Sequence, residues 1–230
     1  MEYKFSRTEI IIGKDNLNLL KNKKVAIFGI GGVGSYVLEG LARSGIENFV
    51  LVDNDKVAES NINRQIIATT KTIGRDKVEV SKERIVSINP NAIVNTYKIF
   101  FDETTTEIDF SKYDYIIDAI DSVKSKIEII KRAKEANIPV ISCMGTGNKL
   151  DPFKFEIKDI SKTTVCPLAK VIRKELKNLR ISKVKVLFST EEPRPPQKSE
   201  DGIIQGSISF VPSVAGLMIA GEVIKDMINF

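Results

Sequence analysis

The chain has 230 residues, 42% hydrophobic and 28% charged, with 35 Lys and Arg against 30 Asp and Glu for a formal charge of +5. That is the make-up of a globular protein of one large domain. It contains no histidine, which excludes Ser-His-Asp and Cys-His catalysis, histidine-ligated metals and a histidine general base. In chain order, the short apolar run 25–28 ends in glycines and predicts a buried strand, and 32–43 carries apolar residues at helical spacing. A strand over 49–52 ends at Asp53. A helix over 74–88 is closed by Asn89-Pro90-Asn91. Residues 93–99 alternate like a strand, 115–117 form a buried strand leading to Asp118, 122–136 a helix and 139–142 another strand. Further on, 153–157 and 184–188 read as strands and 167–179 as a helix. The segment 191–206, with three prolines and two glycines, reads as an exposed loop. A last helix over 214–228 comes after Pro212. Strands alternating with helices predict an α/β protein with a doubly wound, mostly parallel sheet and an elaborated C-terminal half.

Gly29-Ile30-Gly31-Gly32-Val33-Gly34 comes directly after the first strand and opens a helix. Glycines let the backbone approach a phosphate closely, and the helix N-terminus offers free N–H groups and a positive dipole end. Asp53 stands 19 residues after Gly34, at the end of the second strand, where a carboxylate reaches ribose hydroxyls. The fold is therefore Rossmann-like, and the loop by itself leaves NAD, FAD or ATP open. The residues beyond Asp53 favour ATP. Ser60-Asn61-Ile62-Asn63-Arg64-Gln65 comes next, Lys77 stands thirteen residues after Arg64, and Asp118-Ala119-Ile120-Asp121-Ser122 ends a later strand. A dehydrogenase has no need of these added cations and acids. Attack on the α-phosphate of ATP does: Arg and Lys neutralise charge that builds as pyrophosphate leaves, and an Asp holds Mg2+.

With these elements the chain resembles the adenylating domain of the ubiquitin-activating superfamily, which includes the bacterial enzymes that activate sulfur-carrier proteins. The resemblance implies that the glycine loop (Gly29, Gly31, Gly32, Gly34) and Asp53 bind ATP. It further implies that Asn61, Arg64 and Lys77 reach the phosphates, that Gln65 and Ser122 belong to the ATP site, and that Asp121 meets Mg2+. Arg7, in Arg7-Thr8-Glu9-Ile10-Ile11, matches an arginine that enters a neighbouring subunit's site, which implies a homodimer. Arg64, Lys77, Asp121 and Arg7 are the implied catalytic residues.

Leu41-Ala42-Arg43-Ser44-Gly45, Asn63-Arg64-Gln65, Gly145-Thr146-Gly147 before Asp151-Pro152, Ser161-Lys162-Thr163 before Pro167, and Phe188-Ser189-Thr190-Glu191 are similar to the branch of that superfamily that dehydrates threonylcarbamoyladenosine beside the tRNA anticodon. That likeness spans nearly the whole chain. It implies one adenylating domain over 1–230, with a nucleotide-binding core at 22–150 and a substrate and tRNA side at 151–230. The implied nucleophile belongs to the substrate, in keeping with the missing histidines. The branch also implies a monovalent cation (Na+ or K+) near the Gly145–Gly147 segment and a cysteine desulfurase or sulfur-acceptor system as partner. It lacks the zinc-binding cysteine pairs; here Thr163 stands where the partner of Cys166 would be, so no zinc is expected. An adenylyltransferase for a ubiquitin-like sulfur carrier and an NAD-dependent oxidoreductase are the alternatives.

Cys166, before Pro167 at a helix start, is either a thiol activated by the helix dipole or an inert residue at a helix entry. Asp118 either joins Asp121 at the metal or ends the strand–helix turn. Two cysteines make no disulfide framework and point to a reducing compartment. The polar start is no signal peptide, and the uncharged stretch 207–221 is too short to span a bilayer. The protein is expected in the cytoplasm, away from membranes. Charge is uneven along the chain: nine basic against two acidic residues between 158 and 185 give +7, leaving −2 elsewhere. Leu168, Val171, Ile172, Leu176 and Leu179 make an apolar stripe, and Lys170, Arg173, Lys174 and Lys177 fall on another helical face. That face is either an ordinary solvated one or a surface for tRNA phosphates.

Overall fold

The computed structural model describes residues 3–199 and 202–230. In chain order the main elements are α1 (Ser6–Ile12), α2 (Lys14–Asn22), β1 (Lys24–Phe28), α3 (Gly34–Arg43), β2 (Asn48–Val52), α4 (Lys77–Ile88), β3 (Ile93–Tyr97), β4 (Tyr115–Asp118), α5 (Val123–Glu135), β5 (Val140–Cys143), β6 (Phe155–Asp159), α6 (Pro167–Asn178), β7 (Lys185–Ser189), β8 (Gln197–Ser199), β9 (Gly202–Ile204) and α7 (Phe210–Met227). Seven strands form one sheet in the order β3-β2-β1-β4-β5-β7-β6. All neighbours run parallel except β6, which returns antiparallel on β7. Ala26 of β1 lies between Val50 of β2 and Ile116 of β4. The inner strands are apolar on both faces because helices cover both, which is why they read as unbroken hydrophobic runs.

One core layer joins Val25, Ile27 and Leu51 to Leu38 and Leu41 of α3 and Ile219 and Val223 of α7. On the other face Phe28, Phe101 and Phe110 cluster against Ile129 and Ala133 of α5. The Phe28 and Phe101 rings meet edge to face at 4.8 Å, a favoured aromatic geometry. A third layer packs Ala169, Ile172 and Leu176 of α6 on Val184, Val186 and Phe188. Residues 151–230 thus extend the same sheet through β6 and β7, and α7 lies along α3. A Cβ at Gly216 would come within 2.5 Å of the Val33 carbonyl oxygen, and one at Gly40 within 2.7 Å of Ala220 Cβ. Small residues at both positions let these helices meet almost backbone to backbone.

The structure departs from the sequence expectations in several places. Helices α1 and α2, of 7 and 9 residues, are too short to show a long periodic stripe, and the sequence pattern does not predict them. Helix α4 starts at Lys77 rather than residue 74, because Asp76 keeps an extended backbone at its N-cap. Helix α7 starts at Phe210, ahead of the expected 214, since Pro212 sits in the first turn, where a missing N–H costs nothing. The segment 191–206, expected as loop, contains the hairpin β8–β9. The apolar stripe of α6 is Ala169, Ile172 and Leu176, whereas Val171 and Leu179 are 44% and 48% exposed.

Candidate active site

The chain order changes direction between β1 and β4, and the loops after these strands part to leave a crevice at their C-terminal ends, where doubly wound sheets bind ligands. Gly29 opens the crevice with φ +86°, and a Cβ there would lie 2.7 Å from the Ala119 carbonyl oxygen of the loop after β4. At Gly34 a Cβ would fall 1.8 Å from the Gly29 carbonyl oxygen, so the turn can close only on glycine. Above Gly31 nothing lies within 4 Å, which leaves the N-terminus of α3 open to a phosphate. Gly32 faces Pro212 and the stem of Arg64.

Asp53 ends β2 and is oriented by two backbone donors. The Ile30 N–H donates to Oδ2 at 2.6 Å and the Asp55 N–H to Oδ1 at 2.8 Å. Burial pushes its carboxyl above the ordinary value against the pull of Lys77 and these N–H groups. Lys77 is the first residue of α4 and only 5% exposed. Its Nζ donates to Asp55 Oδ2 at 2.7 Å and lies 3.9 Å from Asp53 Oδ1. Lys77 therefore stands beside Asp53, held by the largely exposed carboxylate of Asp55.

Residues 59–61 form a short 3-10 turn that leads into Arg64 and Gln65. Asn61 Oδ1 accepts the Ala58 N–H at 3.0 Å, and Arg64 Nη1 donates to the Ser60 carbonyl at 2.8 Å and to Asn63 Oδ1 at 3.0 Å. Gln65 is buried, and its Oε1 has no hydrogen-bond partner among the described residues. A buried amide oxygen left unmet beside Arg64 is a fitting feature for a nucleotide site. Asp121 is exposed on the loop after β4, and Ser122 caps α5 with its hydroxyl.

Asp118 belongs elsewhere. It is fully buried, with Lys126 Nζ donating to its two oxygens at 3.0 and 3.1 Å, the Ile120 N–H donating at 3.2 Å and the Ser142 hydroxyl donating too. Its carboxylate is fully engaged, so it fixes the turn that carries Asp121. Sequence reasoning missed Lys126; its place eight residues after Asp118, in the first turn of a helix, was the available signal. Arg7 lies on α1. Its neighbours Lys4 and Phe5 line a cavity with Arg43, Arg84 and Ile88, at the C-terminal ends of α3 and α4, remote from the glycine loop.

Both cysteines are buried. Burial pushes the Cys143 thiol up to about 12, so it is no nucleophile at neutral pH. On α6, Lys170, Lys174 and Lys177 are exposed, but Arg173 turns inward and donates to the Thr163 carbonyl at 2.8 Å and its hydroxyl at 2.6 Å. No group of three metal-ligating side chains occurs among the described residues, so a metal here would share its coordination with a bound ligand. Among the described residues no helix is long and apolar enough to cross a membrane.

Strand order, open glycine loop, the acid after β2 and its neighbouring cation define a nucleotide-binding protein of the doubly wound α/β class. The ThiF family model matches residues 5–230, and the chain belongs to that family. It is 45% identical over 245 aligned positions to the tRNA threonylcarbamoyladenosine dehydratase of Bacillus subtilis, covering 100% of this chain and 96% of that protein. Among solved structures, Escherichia coli tRNA N6-threonylcarbamoyladenosine dehydratase in complex with AMP superimposes with a TM-score of 0.89 at 33% identity, over 98% of this chain and 94% of that one. The same enzyme in complex with ATP gives a TM-score of 0.88.

Proposed function

We propose that the chain carries out the ATP-dependent cyclisation of threonylcarbamoyladenosine in tRNA. The observation that carries this is a 45% likeness to a dehydratase of that name extending over both chains almost end to end, joined to a crevice whose residues suit ATP. The glycine-loop N–H groups, with Gly31 open above them, receive phosphates, and Asp53 takes the ribose hydroxyls. Asn61, Arg64 and Lys77 surround the triphosphate, and Gln65 belongs to the same ATP site. Lys77 exchanges its bond to Asp55 for a phosphate oxygen. Asp121, next to Ser122, would hold Mg2+, which would supply charge neutralisation when bound.

The threonyl carboxylate of the substrate attacks the α-phosphorus. A carboxylate oxygen–phosphorus bond forms, the bond to pyrophosphate breaks, and Arg64 and Lys77 stabilise the charge that develops. The carbamoyl group of the same side chain then attacks the activated carbonyl, loses a proton and expels AMP. The carboxylate oxygen leaves with AMP, so the nucleoside loses the elements of one water. Both nucleophiles belong to the substrate, which is why a chain without histidine suffices.

Exposed Lys170, Lys174 and Lys177 on α6 form the tRNA-facing surface, with Arg173 tied to Thr163 behind them. Arg7 on α1 reaches the crevice of a second copy in a homodimer; its neighbours Lys4 and Phe5, set against the C-terminal ends of α3 and α4, support this reading. A monovalent cation near Gly145–Gly147 and a cytoplasmic location complete it. The test is mass spectrometry of nucleosides from threonylcarbamoylated tRNA incubated with the protein and ATP-Mg2+. Loss of one water from the modified nucleoside, with AMP and pyrophosphate formed in equal amounts, is expected. An unchanged nucleoside would overturn the proposal.

A further inference from the structure

Two motifs of the sequence, the Gly145–Gly147 turn and the Phe188–Glu191 segment, have no part in the nucleotide crevice. In the structure the residues that follow each of them line a second cavity. Asn148, with φ +57°, hooks the turn to the later segment. The Gly206 N–H donates to Asn148 Oδ1 at 2.6 Å, the Asn148 N–H to the Gly206 carbonyl at 2.8 Å, and the Arg194 N–H to the Asn148 carbonyl at 2.8 Å. The Glu191 carboxylate accepts the N–H groups of Leu150 and Asp151, each at 2.9 Å. Between these segments lies a cavity of about 370 Å3 whose lining includes Lys149, Leu150, Arg194, Gln197 and Ser207.

Lys149 is the unusual member. It is 6% exposed, its Nζ donates to the Glu191 carbonyl oxygen at 2.5 Å, and it makes no ion pair among the described residues. The one carboxylate nearby, that of Glu191, is turned onto the backbone. A buried ammonium held by a neutral carbonyl is costly unless an anion joins it, and burial accordingly pulls its basicity down. Arg194 adds a second cation on the rim. The cavity also touches the phosphate side. The Ser207 carbonyl in its wall accepts a hydrogen bond from Asn63 Nδ2 at 3.0 Å, and Asn63 Oδ1 accepts one from Arg64 at 3.0 Å.

We infer that this cavity receives the carboxylate-bearing side chain that is to be adenylated, and that Lys149 holds the carboxylate while it approaches the α-phosphate. This rests on the proposed function. The physical need is plain: nucleophile and triphosphate are both anions and must come within bonding distance. Arg64 and Lys77 serve the phosphates, so the nucleophile requires a cation of its own. The amides of Asn148 and Gln197 supply partners of the kind a carbamoyl group pairs with.

The experiment compares wild type with Lys149→Met and Lys149→Arg. It measures steady-state kinetics on threonylcarbamoylated tRNA, ATP affinity by calorimetry, and affinity for the same tRNA lacking the modification. For Lys149→Met, kcat/KM on modified tRNA should fall about 100-fold, with ATP and unmodified-tRNA affinities within about twofold of wild type. Lys149→Arg should recover part of the loss. Should Lys149→Met fail to fold, Lys149→Gln keeps a donor to the Glu191 carbonyl and replaces it with the same expectation. Unchanged kcat/KM would overturn the inference. So would an equal loss of affinity for unmodified tRNA, which would mark Lys149 as a ligand of the tRNA backbone, or a loss of ATP affinity, which would place it in the triphosphate site. An inactive wild type would refute the proposed function itself, whereas an active wild type matched by Lys149→Met would remove this inference alone.

Discussion

The buried pair beneath the Asp121 loop gives the sharpest stability test. Lys126 and Asp118 both have fully buried side chains, 3.0 Å apart. Lys126→Met keeps most of the side-chain volume but leaves the Asp118 carboxylate with the Ser142 hydroxyl and the Ile120 N–H alone. Removing one partner of a fully buried pair costs ~3–5 kcal/mol. At ~2–4 °C per kcal/mol for a chain of this size, the melting temperature should fall by roughly 6–20 °C. Asp118→Asn in the Lys126→Met background removes the stranded charge. The double variant should therefore be more stable than additivity allows, by about 1–3 kcal/mol. Urea unfolding followed by circular dichroism on all four proteins closes the cycle. A Lys126→Met protein within ~0.5 kcal/mol of wild type, or strictly additive costs, would refute the view that this pair holds the turn. Because that turn carries Asp121, the same variant at a temperature where it stays folded should also turn over more slowly.

Arg64→Ala and Lys77→Ala should each lower kcat by about 10²–10³ while retaining a native circular dichroism spectrum; full pyrophosphate release from either variant would exclude their role at the phosphates. Gly31→Ala meets open space and should leave stability unchanged while weakening ATP binding, whereas Gly34→Ala collides with the Gly29 carbonyl and should disrupt the loop itself. Comparable thermal stability and ATP affinity for the two would contradict that geometry. Burial of Glu39 pushes its carboxyl up, but hydrogen bonds from Arg84 and Arg43 outweigh this and hold it below its ordinary value. Its contribution to stability is therefore complete above the usual glutamate pKa of about 4.3 and lost as pH falls through the lowered value. Glu39→Gln should melt lower than wild type at neutral pH, with the gap closing in strong acid; a gap independent of pH would refute this. Lys170, Lys174 and Lys177 changed together to Glu should weaken tRNA binding and reduce its salt dependence, by about one in log–log slope for each phosphate no longer neutralised. An unchanged slope in filter binding would move the tRNA surface elsewhere.

Much of the molecule is legible in the order of its residues. Apolar runs alternating with helical stripes foretell a parallel sheet, since strands covered on both faces leave a continuous hydrophobic signature. The glycine loop, Asp53, Lys77 and Asp121 have places that are legible because each lies by a strand end or a helix start, and local geometry is written in local sequence. Less legible are features that depend on partners distant along the chain. Asp118 is two-sided in sequence, metal ligand or turn residue, until β5 brings Ser142 and α5 brings Lys126 to it. Arg173 reads as one more exposed cation until Thr163 meets it, ten residues away. Lys149 has no signature at all; it becomes a buried cation in a cavity wall because a segment about forty residues further along the chain folds over it. The sequence by itself determined the fold class and the glycine loop of the crevice and, through the missing histidine, excluded every mechanism that needs an enzymic imidazole. Which charges are buried, paired or left facing a cavity was decided by the tertiary structure alone, because desolvation and pairing depend on what packs around a group, and that is a property of the folded chain.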